Sequence, residues 1–178
     1  MSATTHITPS GRDGRSRTAG GRIASTLGMG RRLPHHSVLV SVGYEGRTLV
    51  EFIGVLNDHK VRTLVDVRLT PLSRKPGFSK SALSNALDAA GIEYRHEPTL
   101  GNPKSNRDGY RRGSLSARER YARRLRKGSA FAYQATLDRV RSGGVAIMCF
   151  ERDHGDCHRS TITDHLHSDD PRIGVVAV

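Results

Sequence analysis

Five short apolar runs recur along the chain with helix-patterned segments between them, and this alternation restricts the fold more than any other feature. The runs are SVLVSVG at 37–43, RTLVDVRL at 62–69, IEYRHE at 92–97, VAIMCF at 145–150 and IGVVAV at 173–178. Their length and β-branched content read as strands. After the first, Thr48 stands three residues ahead of Glu51 as a capping box, and Leu49, Phe52, Ile53 and Leu56 share one helical face. Ser79 or Ser81 opens a second helix with Leu83, Ala86, Leu87 and Ala90 aligned, and Gly91 ends it. Ser116 and Glu119 make another capping box before a very basic helix. A further helix runs from about Ser129 to Arg141 and stops at Gly143-Gly144, and 157–167 reads as the last helix. Continuous apolar strands alternating with helices imply a parallel sheet covered on both faces. The expected fold is a three-layer, Rossmann-like α/β sandwich with a mostly parallel sheet of about five strands. The stretch EPTLGNPKSNRDGYRRGS at 97–114 reads as a long irregular loop, which marks it as functional.

The 178 residues suit one α/β domain over 36–178, preceded by an arm over 1–35. That arm is rich in Gly, Ser, Thr and Arg without periodicity, and Arg12, Arg15, Arg17, Arg22, Arg31 and Arg32 face only Asp13. Such a composition buries too little apolar surface to order itself and reads as a flexible basic arm, either a nucleic-acid anchor or a solubilising tail. A net charge of +12 draws the chain to polyanions, meaning nucleic acid, nucleotides or an acidic partner. Two cysteines are too few for a disulfide framework. No run approaches a membrane span. The start lacks the apolar core of a signal peptide, and although its Arg-rich character imitates a transit peptide, the cytoplasm is the expected location.

In open parallel sheets, ligands bind beyond the carboxyl ends of the strands. Strand one ends in Gly43-Tyr44-Glu45-Gly46, a tight turn that would point Tyr44 or Glu45 into a cleft and that lacks a dinucleotide G-x-G-x-x-G fingerprint. Strand two ends VDVR, so Asp66 and Arg68 project from one face. Asp66 needs a partner there, and Arg68 either serves only as that partner or joins it in a site. In the loop that follows, Arg74 and Lys75 stand just ahead of a helix N-terminus and suit a phosphate. Strand three places Tyr94 and His96 on one face. Between Arg107 and Lys127 lie nine Lys or Arg residues, with Arg120, Arg123, Arg124 and Lys127 recurring as a helical stripe that would track a sugar-phosphate backbone or simply face solvent.

Strand four runs into CFERDHGDCHRS at 149–160. Cys149 and Glu151 leave the sheet on one face. With Asp156 as the cap of the next helix, Cys157, His158 and Arg159 would fall in its first turn. A thiol at a helix N-terminus beside an arginine has a lowered pKa and suits nucleophilic chemistry, while the same amides and Arg159 would suit an anion. Cys149, His154, Cys157 and His158 also offer metal ligands, although Cys-x7-Cys-His matches no standard zinc spacing. Neither cysteine fits a Cys-x5-Arg phosphatase loop.

Taken in order, SVGYEG, LVDVRLTPLSRKPGFSK, GIEYRHEPTLGNPKSNRD and AIMCFERDHGDCHRS resemble the bacterial and archaeal domain-of-unknown-function 488 family over roughly residues 38–167. The resemblance implies a small Rossmann-like domain. Its recurring polar positions fall on Glu45, Asp66, Arg68, Arg74, Tyr94, His96, Cys149, Glu151, Cys157, His158 and Arg159. It implies no particular reaction or cofactor.

Three functions fit these observations. In the first, the chain is an enzyme acting on a nucleotide, nucleic acid or other phosphate-bearing substrate. Asp66, Glu45, Glu151, Cys157 and His158 would then supply acid, base or nucleophile, and Tyr44, Arg68, Arg74, Tyr94, His96 and Arg159 would bind the substrate. In the second, it is a non-catalytic nucleic-acid-binding module using the arm and the 107–127 tract. In the third, it is a metal-dependent enzyme using Cys149, Cys157 and His158.

Overall fold

Every apolar run becomes a strand. The computed structural model describes residues 36–178, so the basic arm expected over 1–35 lies outside the described residues. The strands are β1 (Ser37–Gly43), β2 (Thr63–Asp66), β3 (Glu93–His96), β4 (Val145–Cys149) and β5 (Ile173–Ala177). All pairings are parallel, in the spatial order β3-β2-β4-β1-β5. The helices are α1 (Leu49–Asp58), α2 (Lys80–Ala89), α3 (Lys104–Arg111), α4 (Leu115–Gly128), α5 (Ala130–Ser142) and α6 (Arg159–Asp169).

Because side chains alternate across a strand, each central strand feeds two cores. Val40, Val42, Leu64, Ala146 and Met148 pack with Phe52 and Leu56 of α1 and Leu83 and Leu87 of α2. Leu39, Val65, Val145 and Ile147 pack with Tyr121 and Leu125 of α4, Leu137 and Val140 of α5, and Ile162 and Leu166 of α6. Two helices therefore cover one face and four the other, which is the three-layer arrangement expected. Among the described residues no helix is long and apolar enough to cross a membrane.

The Thr48–Glu51 capping box forms as read: Thr48 Oγ1 accepts from the Glu51 amide at 3.2 Å, and Glu51 Oε2 accepts from the Thr48 amide at 2.7 Å. Three local readings need correction. The stretch 97–114 is not an irregular loop, since it contains a 3₁₀ turn over Pro98–Leu100 and then α3. Ser116 does not cap α4; Ser114 holds the N-cap position and Ser116 lies inside the helix. Asp156 does not cap α6. Asp153 Oδ1 instead accepts from the amides of Gly155 and Asp156 at 2.6 and 3.1 Å, and this extra turn delays the helix until Arg159. Cys157 and His158 consequently precede the helix, and only Arg159 lies in its first turn.

Two glycines bring the strand ends close to their neighbours. At Gly43 a Cβ would stand 2.0 Å from the Glu151 carbonyl oxygen, so the end of β1 packs directly on the chain leaving β4. At Gly101 it would stand 2.6 Å from the Leu69 backbone, which brings Asn102 against the chain leaving β2. We expect Gly43→Ala to cost about 1–3 kcal/mol through overpacking, read as a lower denaturation midpoint. Gly54→Ala, in the middle of α1 with nothing within 4 Å of the added methyl, should instead stabilise by about 0.5–1 kcal/mol.

Candidate functional site

Asp66 at the end of β2 is fully buried and Arg68 nearly so. The guanidinium grips the carboxylate with Nε at 2.9 and 3.0 Å from the two oxygens and Nη2 at 2.5 Å from Oδ2. The Arg68 amide donates to Oδ1 at 3.0 Å, and the Tyr94 hydroxyl donates to Oδ2 at 2.6 Å. Arg68 Nη1 then donates to the Phe78 carbonyl at 2.8 Å and to the Tyr44 hydroxyl at 3.2 Å. Tyr44 stacks on Phe78 with ring centroids 4.4 Å apart. His96 Nε2 donates to the Arg68 carbonyl at 2.9 Å. Burial alone would loosen the proton on Arg68, but the hydrogen bond and charge of Asp66 more than offset it and the pKa rises. Burial and the Asp66 charge push the Tyr94 phenol up as well. With both oxygens occupied, Asp66 acts as the fixed seat of Arg68.

The second group lies on the opposite face, where the parity of β4 sends Cys149 and Glu151. Glu151 Oε1 accepts from Arg111 of α3 at 2.7 Å, and its Oε2 lies 3.2 Å from Cys157 Sγ. His158 Nε2 donates to the Val67 carbonyl at 3.1 Å, which turns Nδ1 towards Cys157 Sγ, 3.6 Å away. Arg159 is fully buried; its Nε donates to Cys157 Sγ at 3.3 Å and its Nη2 to the Glu151 carbonyl at 2.6 Å. Burial would raise the Cys157 pKa, yet a hydrogen bond from Cys149, the neighbouring imidazole and Arg159 bring it well below the ordinary thiol value. The hydrogen bond to Cys157, burial and the charges of Cys157 and Glu151 push Cys149 up, so the two sulfurs are shifted in opposite directions. Burial acts to raise Glu151 too, but the hydrogen bonds from Arg111 and the thiols bring it down to about 2.

Between these groups, at the carboxyl edge of the sheet, lies a cavity of about 380 Å³. Tyr44, Arg68, Arg74, Glu151 and His158, all singled out in the sequence, line it, as do Lys75 and Cys149. Asp66, Tyr94 and His96 stand behind Arg68, while Cys157 and Arg159 stand behind Cys149 and Glu151. Glu45 turns the other way: it accepts from the Arg152 amide at 3.1 Å and lines a separate hollow with Arg47 and His154. His154 is outside the thiol group, with Nδ1 2.8 Å from Ser41 Oγ. Burial, then Arg159, lowers its pKa.

Sequence reasoning missed Arg107 and Arg111 as site residues and counted them only within the basic tract. They are four apart on α3 and both reach the cavity. That helical spacing was the available signal. Of the stripe on α4, none of Arg120, Arg123, Arg124 and Lys127 lines this cavity, and Arg123 makes only a loose 3.8 Å pair with Glu119.

Removing one partner of a buried pair strands the other, so Asp66→Asn should destabilise the fold by about 3–5 kcal/mol in chemical denaturation. Glu151 has a folded pKa of about 2 against 4.5, so its stabilising contribution is complete above pH 4.5 and disappears as the pH falls towards 2. Arg111→Ala should therefore shift the acid-unfolding midpoint to higher pH, measured by far-ultraviolet circular dichroism against pH.

The family described as Domain of unknown function DUF488 matches residues 48–166, about two thirds of the chain. No curated protein and no solved structure matches it.

Proposed function

The chain belongs to the DUF488 family, and we propose that it is an enzyme acting on a small phosphate-bearing substrate, of nucleotide size, held in the strand-end cavity. One observation carries this reading: Arg68, Arg74, Lys75, Arg107 and Arg111 converge on a space of about 380 Å³ whose inner wall is Cys149, Glu151 and His158. The volume lies at the lower end of small-molecule sites and suits a mononucleotide rather than a duplex. Guanidinium forks match phosphate oxygens in pairs, and partial exclusion of water strengthens each contact.

In this reading Arg74, Lys75 and Arg107 receive the anion, and Arg68 offers a direction fixed by Asp66. Asp66 is thus a positioning residue rather than the acid or base expected of it. Glu151, whose carboxylate Arg111 holds in place, accepts a hydrogen bond from the substrate or an attacking water and orients it; His158 beside it is oriented through Val67. Cys157 backs the wall through its contacts with Glu151 and Arg159, and Cys149 is the thiol that meets the substrate.

Calorimetric titration of pyrophosphate and of nucleoside mono- and diphosphates, with chelator present, tests the reading. Arg74→Ala and Arg107→Ala should each weaken binding about tenfold, or about 1.4 kcal/mol, and binding should weaken with salt. If both variants bind as the unaltered chain does, the reading fails. If duplex or single-stranded nucleic acid binds instead, and only neutralising Arg120, Arg123 and Lys127 removes it, the chain is a nucleic-acid-binding module.

A further inference from the structure

The inner wall of the cavity holds more ligating capacity than anion binding uses. One donor atom from each of Cys149, Glu151, Cys157 and His158 can be chosen so that all four lie within 4.8 Å of one another. Cys157 Sγ is 3.2 Å from Glu151 Oε2 and 3.6 Å from His158 Nδ1. A tetrahedral zinc ion with ordinary bond lengths needs donors separated by roughly 3.4–3.8 Å. Two edges therefore already approximate the coordination polyhedron, and the others close with sub-ångström to ångström shifts of side chains.

We propose that Cys149, Glu151, Cys157 and His158 bind one divalent metal ion of the zinc class. The donor set selects the metal: two sulfurs and an imidazole suit zinc, or cobalt in its place, whereas magnesium and calcium require oxygen throughout. The ligands are also oriented from outside, as metal ligands usually are. His158 donates Nε2–H to the Val67 carbonyl, which turns the Nδ1 lone pair towards the sulfurs. Glu151 gives Oε1 to Arg111, which leaves Oε2 facing them.

Charge closes the argument. Two thiolates and a carboxylate bring three negative charges into a largely buried space, and a divalent ion leaves one, which the guanidiniums of Arg159 and Arg111 more than offset. On loading, any protons held by the two cysteines leave to solvent as metal–sulfur bonds form, with no change of oxidation state. The ligands follow the order Cys-x-Glu-x5-Cys-His, and Glu151 supplies the fourth group that Cys-x7-Cys-His lacked. His154, counted among the ligands from sequence, is bonded to Ser41 instead. Because Cys149, Glu151 and His158 border the cavity while Cys157 lies behind, the ion would sit in the cavity wall, with Glu151 the ligand that an arriving anion can displace.

The site stands independently of anion recognition, which the chelated titration above measures without metal. For the test, the full chain is stripped with chelator under reducing conditions and titrated with Co²⁺ alone, followed by Zn²⁺. The expected result is one equivalent of bound cobalt with sulfur-to-metal charge-transfer absorption and the intense visible bands of a tetrahedral site, bleached by zinc. Cys149→Ser/Cys157→Ser should abolish these bands, Glu151→Gln should weaken cobalt binding at least about tenfold, and His154→Gln should leave the spectrum unchanged. An unaltered chain showing only weak octahedral bands without charge transfer overturns the proposal, as does loss of the tetrahedral spectrum in His154→Gln. Should the double cysteine variant fail to fold by circular dichroism, the spectrum of the unaltered chain decides: charge transfer supports the site and its absence overturns it.

Discussion

The buried pair of Asp66 and Arg68 is the interaction on which the arrangement of the strand ends depends. Two ionised groups removed from water carry a desolvation penalty that their attraction repays only when the remaining hydrogen-bonding capacity is filled. Here two other strands supply the missing partners. Tyr94 from β3 reaches the carboxylate, Tyr44 beyond β1 reaches the guanidinium, and His96 reaches the Arg68 carbonyl. Phe78 adds its own carbonyl and stacks on Tyr44, which ties the chain between β2 and α2 to the same point. The penalty of burial thus acts as a fastening: each partner is held because releasing it would leave a charge unsatisfied.

Strand parity separates this fastening from the chemistry. Asp66 and Arg68 belong to the layer of α1 and α2, whereas Cys149 and Glu151 belong to the layer of α3 to α6. Only at the sheet's carboxyl edge do the two layers face a common space. The cavity there has cations on its rim and Cys149, Glu151 and His158 on its inner wall, so an anion drawn in by the cations would meet those groups. Arg111 spans both roles, since it borders the cavity and holds Glu151.

The sheet was legible because five short apolar or alternating runs are separated by helix-patterned segments, and all five strands form where those runs lie. The third helix was not, because its buried residues, Asn106 and Tyr110, are polar and leave no apolar stripe. Asn106 is satisfied by Asn102 Oδ1 at 3.0 Å and the Ala117 carbonyl at 2.9 Å, partners that no local pattern announces. The same blindness governed the site. Counting charges marked Asp66 but could not show that Arg68 and Tyr94 occupy both its oxygens. Glu45 looked equivalent to Glu151, yet the Arg152 amide draws it to a different hollow. Arg107 and Arg111 disappeared into a total of nine cations, because charge has no direction until a helix gives it one.

The start of α6 is electrically unusual. A helix N-terminus carries partial positive charge, and here the first residue is the buried cation Arg159. Those like charges tolerate each other only because the Cys157 sulfur and the Glu151 carbonyl face the guanidinium. The opening turn of α6 is therefore tied to the cavity wall through Arg159. Cys157 thus joins the cavity wall to the end of the helix that packs against β5: the sulfur that backs the wall is also one of the two groups that make a cation acceptable at that turn.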